Sequence, residues 1–320
     1  MPVQLADEWK AFEAAIGHRP QMSGANVLEI RHASRQMIKA SKAAAAQNTY
    51  PLNVYDTTIE GPHSIKVRVY EPTESGDAGS HDVGLFFHGG GWCIGDVDLE
   101  DDLVKFMAWK TNMKFISVDY RLGPEDPWPA QLEDCVAAVQ WARSSQPEKH
   151  DNTRLYLVGT SAGAHLALST ALKLSKTTST VDGVVALAPF AIRREDAKSH
   201  DGSEPGSHQE NFDAPLLQME TLHMFLDAVK APVGDPSFSI LLSPSFQAMP
   251  PIYIVTCGAD ILRDHGPMLA ERLKNDGVPV KIDNYPGYPH TFWTVPGIKM
   301  GVTFRSNLLL GLEFIRKPSA

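Results

Sequence analysis

The spacing of apolar positions along the chain changes several times, and each change predicts an element. Near the N-terminus Trp9, Phe12 and Ile16 recur at helical spacing. A second helical segment runs from about residue 25 to 46, with Pro20 and Gly24 marking the break. The period then drops to two. Residues 52–60 and 64–71 read as a hairpin in which SIKVRVY alternates like a half-exposed strand. TESGDAGSHD (73–82) is turn-rich, and VGLFFH (83–88) is continuously apolar, as a strand buried on both faces would be.

From there helices and strands alternate: helix 99–112, strand 114–120, helix 129–144, strand 154–158, a helix after Ser161, and strand 183–189. The pattern resumes with strand 251–257, helix 264–276, strand 278–285 and helix 298–316. Such alternation predicts an α/β fold, a mostly parallel sheet covered on both faces with right-handed crossovers. Between residues 190 and 236 it lapses. IRREDAKSHDGSEPGSHQENFD is expected to be a polar, mobile loop, and 214–229 an amphipathic helix. Residues 190–236 therefore read as an insertion over one end of the sheet, between 51–189 and 237–320 of the main domain.

Composition narrows the function. A chain of 320 residues with 43% hydrophobic content can bury a large core, and a net charge of -9 without a basic run argues against nucleic acid as partner. No apolar run reaches membrane-spanning length, and the acidic N-terminus does not look like a secretory signal. Cys93, Cys135 and Cys257 are far apart and form no C-x-x-C pair, which suggests free thiols in the cytoplasm. No H-E-x-x-H occurs, so no metal site is expected, and no cofactor is implied. Homodimerisation is left open.

The candidate chemistry centres on RLYLVGTSAGAHLALSTAL (154–172), a short β-prone run followed by an Ala- and Leu-rich helix. Between them Gly159 to Gly163 match G-x-S-x-G. A sharp strand-to-helix turn would raise Ser161 to its apex, where side chains two residues either side would collide. The helix also turns its free N–H groups towards the serine. Such a serine needs a base and a carboxylate to orient it, in the chain order Ser, Asp or Glu, His. Asp260 follows a strand at its carboxyl end, and His290 follows the last strand. Asp264 is the rival carboxylate but is expected to cap the following helix. His165 lies one turn along the serine's own helix and points away, while His200, His208 and His223 are expected at the surface or facing substrate. Ala162 and the H-G-G-G-W run (88–92) can supply N–H donors for an oxyanion.

H-G-G-G-W, VDYRLGPEDPWPAQLEDC (118–135), G-T-S-A-G, D-I-L-R-D (260–264) and His290 together resemble the hormone-sensitive-lipase-like family of α/β-hydrolases over residues 80–320. The resemblance implies an eight-stranded, mostly parallel sheet with a helical cap built from residues 1–50 and 190–236. It implies Ser161 as nucleophile, His290 as base, Asp260 as carboxylate, and an oxyanion hole of Gly90, Gly91 and Ala162. It makes Asp119, Tyr120, Arg121 and Glu125 braces of the site. The expected reaction is hydrolysis of a small-molecule ester, slowing as His290 takes up a proton. Thr160 stands where the family usually has Asp, Gly163-Ala164 where it has Gly-Gly, and Thr291-Phe292-Trp293 where it has Gly-Phe. Phe292 and Trp293 would shape the acyl pocket or support the cap.

Trp92, Phe190, Phe212, Met219, Leu222, Met224 and Phe225 lie on segments expected around the mouth, and with Trp293 they suggest a hydrophobic substrate. A short-chain or natural-product ester fits best. Amide or formamide hydrolysis, a lyase or dehydratase on the same scaffold, and a small-molecule binding protein are the alternatives.

Overall fold

A single eight-stranded sheet organises the computed structural model, which describes residues 4–45, 50–73, 82–144, 153–177, 180–200 and 204–317. Its strands are β1 (Leu52–Ile59), β2 (Ile65–Pro72), β3 (Val83–Phe87), β4 (Lys114–Asp119), β5 (Leu155–Thr160), β6 (Gly183–Leu187), β7 (Ile252–Ala259) and β8 (Val280–Pro289). Their order is β1-β2-β4-β3-β5-β6-β7-β8. Only the pairings of β1 with β2 and of β2 with β4 are antiparallel. The helices are α1 (Asp7–Ile16), α2 (Val27–Ala45), α3 (Asp101–Thr111), α4 (Ala130–Ser144), α5 (Ala162–Leu174), α6 (Arg194–His200), α7 (Ser207–Glu210), α8 (Met219–Val229), α9 (His265–Asn275) and α10 (Met300–Arg316).

The parallel strands read as unbroken apolar runs because each face of the sheet has its own core. Leu85, Phe87, Leu155 and Leu157 enter one, shared with α4, α5 and α9. Phe86, Tyr156 and Val158 enter the other, shared with α1, α3 and α10. Helix α5 is the most enclosed, with Lys173 the one residue between Ala162 and Leu174 that is not buried. That burial anchors the helix that begins at Ser161. None of the described helices is long and apolar enough to cross a membrane.

The segment 190–236 departs from expectation. Its polar stretch is not one loop: α6 and α7 form within it, and Ser207, His208 and Asn211 are buried against the loop after β7. Those three are thus internal hydrogen-bonding groups and not solvated ones. Helix α8 begins at Met219, five residues later than expected, because Pro215 carries no N–H and Leu216 takes a left-handed φ of 69°. Leu216 N–H instead donates to Pro20 O at 2.8 Å, joining this segment to the stretch between α1 and α2. Helix α2 is tied to the main body by Arg31, which donates to Cys93 O at 2.7 Å and pairs with Glu125 at 2.7 Å.

Candidate active site

At the end of β5 the backbone turns into α5 through Ser161, whose φ of 55° and ψ of -117° are unfavourable for a residue with a side chain. Neighbouring bonds hold it there: its N–H donates to Leu187 O at 2.7 Å and its carbonyl accepts His165 N–H at 3.0 Å. The flanking glycines are a steric need. A Cβ on Gly163 would stand 1.9 Å from Phe87 O, and one on Gly159 2.2 Å from Gly163 O.

Three distant segments meet at the serine. Ser161 Oγ lies 2.8 Å from His290 Nε2, and His290 Nδ1 lies 2.6 Å from Asp260 Oδ2. A carboxylate can only accept, so Nδ1 carries the proton and Nε2 presents its lone pair to the hydroxyl. His290 is 2% exposed and Asp260 1%, so this chain of bonds operates away from bulk water. The Leu262 N–H donates to Asp260 Oδ1 at 2.9 Å, and Asn211 Nδ2 donates to Asp260 O at 2.8 Å. Asp264 is placed differently. It precedes α9 but makes no side-chain bond to that helix, accepting instead from Ser207 N–H at 2.8 Å and from Arg263.

Above the serine, Gly90 at φ 114° and Gly91 at φ 57° carry the turn after β3. A Cβ on Gly91 would stand 2.1 Å from the Phe225 ring, so α8 presses directly on this loop. Gly90, Gly91 and Ala162 line one cavity with Ser161 and His290. Beneath them His88 donates from Nδ1 to Gly89 O at 2.7 Å, and its carbonyl accepts the Tyr120 hydroxyl at 2.7 Å. Burial pulls the His88 ring down to about 4, which keeps it neutral. Of the other expected braces, Arg121 binds Asp134 at 2.9 Å and Glu125 pairs with Arg31, while Asp119 closes β4.

The cavity measures about 270 Å³. Trp92, Phe190, Leu222 and Phe225 line it, joined by Ile30 and Met37 of α2. Two expected contributors are elsewhere. Phe212 is 64% exposed on the turn after α7, because its neighbour Asn211 is the residue turned inward. Trp293 stacks on Phe304 at 4.2 Å in the opposite core and supports the loop of His290 from behind. Met219 and Met224 pack on the core without lining the cavity. A larger hollow of about 550 Å³ between α3 and α10 contains none of the groups gathered at Ser161.

Several supporting residues carried no sequence signal. His165 accepts Trp92 Nε1–H at 3.0 Å and donates to Phe238 O at 2.7 Å, fixing a wall of the cavity. His208 is buried rather than superficial, with Nε2 3.0 Å from His265 Nε2, and His265 Nδ1 accepts the Ala191 N–H. These partners lie between 57 and 74 residues apart in the chain, so no local pattern announces them.

Known proteins share this architecture and its sequence. A family model described as "alpha/beta hydrolase fold" matches residues 84–294. The versiconal hemiacetal acetate esterase of Aspergillus parasiticus is 33% identical over 94% of each chain. Esterase LipI of Mycobacterium tuberculosis is 32% identical over 80% of each. Among solved structures, vibralactone cyclase superposes with a TM-score of 0.88 at 26% identity, covering 99% of this chain and 97% of the other. The chain belongs to the hormone-sensitive-lipase-like family of α/β-hydrolases and is a carboxylic ester hydrolase.

Proposed function

We propose that the enzyme hydrolyses a hydrophobic ester with a short acyl group, such as the acetate of a natural product, through Ser161, His290 and Asp260. The observation that carries this reading is the Ser161–His290–Asp260 chain of 2.8 and 2.6 Å bonds opening into an apolar cavity. His290 Nε2 takes the hydroxyl proton as Ser161 Oγ attacks the ester carbonyl carbon. The Gly90, Gly91 and Ala162 N–H groups hold the oxyanion that forms. The imidazolium returns the proton to the leaving alkoxide, and an acyl-enzyme remains. Water then attacks by the same route, releasing the acid and restoring Ser161.

The cavity is about 270 Å³, just below the roughly 300 Å³ lower end of ordinary ligand pockets, which favours a short acyl chain. Residues 1–50 and 190–236 act as its cap, since α2 and α8 both supply lining residues. The relative from Aspergillus parasiticus is named for an acetate ester, which supports the same substrate class.

The test is a p-nitrophenyl ester series from acetate to palmitate on the wild type and on Ser161→Ala. Turnover highest at short chains, and reduced at least about 10³-fold by the substitution, is expected. Comparable rates in both proteins would overturn the assignment of Ser161, and a palmitate optimum would overturn the short-acyl reading.

A further inference from the structure

Beneath the oxyanion loop lies a carboxyl group that the acyl transfer above does not use. Glu100, at the head of α3, is 6% exposed, and its Oε2 accepts the Gly89 N–H at 2.9 Å. Gly89 opens the turn whose next two residues line the cavity. It is also packed against the nucleophile's strand: a Cβ there would stand 3.3 Å from Thr160 O and 3.6 Å from Glu100 Oε2. Glu100 Oε1 and the Thr160 hydroxyl are buried without a hydrogen-bond partner of good geometry, although the hydroxyl is near enough to favour the charged carboxylate. Burial is the larger influence and pushes Glu100 up to about 7. Among the described residues, Glu100 and His290 are the two ionisable side chains that line the cavity.

We propose that Glu100 is a positioning residue: anchored in α3, its carboxylate holds the Gly89 amide and so sets the direction of the Gly90 and Gly91 N–H groups relative to Ser161. The proposal rests on the acyl-transfer reading. A charged acceptor holds an N–H about twice as strongly as a neutral one, so the ionised form fixes the loop more firmly. The groups facing Glu100 leave that ionisation legible. A protonated His290 favours the charged form, and Tyr120 stays neutral because burial raises its hydroxyl well above the ordinary range. On its own helix, Asp101 and Asp102 are engaged by Lys105 and Arg305. Misdirected amides weaken the hold on the oxyanion more than the hold on the ester, so the effect falls on kcat.

The experiment compares full-length wild type, Glu100→Gln and Glu100→Leu with p-nitrophenyl acetate between pH 5 and 9. Glutamine keeps an acceptor for Gly89 and is expected to retain kcat within about threefold at pH 8. Leucine leaves the amide unpartnered and is expected to lose about 10- to 100-fold in kcat, with KM within about twofold. The wild type's advantage over the glutamine variant, up to about threefold at pH 8, should disappear below pH 7, where a protonated Glu100 is a neutral acceptor too. The rate at which a fluorophosphonate labels Ser161 should rank the proteins in the same order. If the leucine variant does not fold, the pH profile of Glu100→Gln decides alone. A leucine variant within threefold of wild type, a loss confined to KM, or identical pH profiles for wild type and Glu100→Gln would overturn the proposal. A wild type that neither turns over nor labels would instead remove the acyl-transfer reading on which it stands.

Discussion

His165 shows how much a neutral histidine can do beside a reaction it does not join. One ring nitrogen accepts from Trp92 and the other donates to Phe238 O, so both are satisfied in the uncharged form. Burial accordingly pulls the ring down to about 4. The unfolded chain takes up that proton near the ordinary value of about 6.5, and the folded protein does so only near 4. A depressed folded value means that this stability is complete above about 6.5 and is lost as pH falls towards 4. His165→Gln should therefore melt lower than wild type at pH 8, by about 1–3 kcal/mol for the lost bonds, yet lose less further stability between pH 6.5 and 4. Parallel melting curves for the two proteins across that window would contradict the assignment.

At the scale of elements, α8 is the roof of the cavity and not merely its neighbour. Its Phe225 ring occupies the space that a side chain on Gly91 would need, so the helix and the turn after β3 are fitted to one another. Phe225→Ala should cost about 3–5 kcal/mol if the cavity does not collapse. The same change should move the acyl-chain optimum towards longer esters by enlarging the space beside Ser161. A destabilised variant with an unchanged chain-length profile would place Phe225 in the fold's support alone. Helix α7 performs a comparable service on the carboxylate side. Ser207 Oγ donates to Ile261 O at 2.7 Å, and Asn211 just beyond the helix holds Asp260 O. Four residues of helix are enough, because their side chains and not their length do the holding.

At the scale of the molecule, α2 and α8 both line the cavity at Ser161, at the carboxyl ends of the strands, where open α/β sheets bind their ligands. Arg31 is the main tie between α2 and the body beneath, joining Cys93 O, Gly123 O and Glu125. Arg31→Ala leaves two buried carbonyls without that donor, and a loss of about 1–3 kcal/mol is expected. Because α2 supplies Ile30 and Met37 to the cavity, the kinetic effect should fall mainly on KM. Steady-state kinetics beside thermal melting would check this, and a loss confined to kcat would show that α2 bears on the chemistry instead.

Hydrophobic period alone determined most of the strand and helix order, since a sheet covered on both faces demands unbroken apolar strands whichever helices cover it. The G-x-S-x-G turn was legible too, because Gly159 answers to a clash with Gly163 O inside the motif, although Gly163 itself answers to Phe87 O of another strand. The order of Ser161, Asp260 and His290 followed from topology, as each is carried by the end of a strand. What lay beyond reach depended on contacts between segments far apart in sequence. Asn211 and His208 read as solvated polar residues until α7 was packed against the loop after β7. Phe212 and Trp293 looked like cavity residues until packing turned one to solvent and the other to the far core. Glu100 gave no sign at all, since its carboxylate is held by a backbone amide of another loop. Local sequence carries the strain and periodicity of each element, and only tertiary packing decides which polar groups are taken from water and what they must then hold.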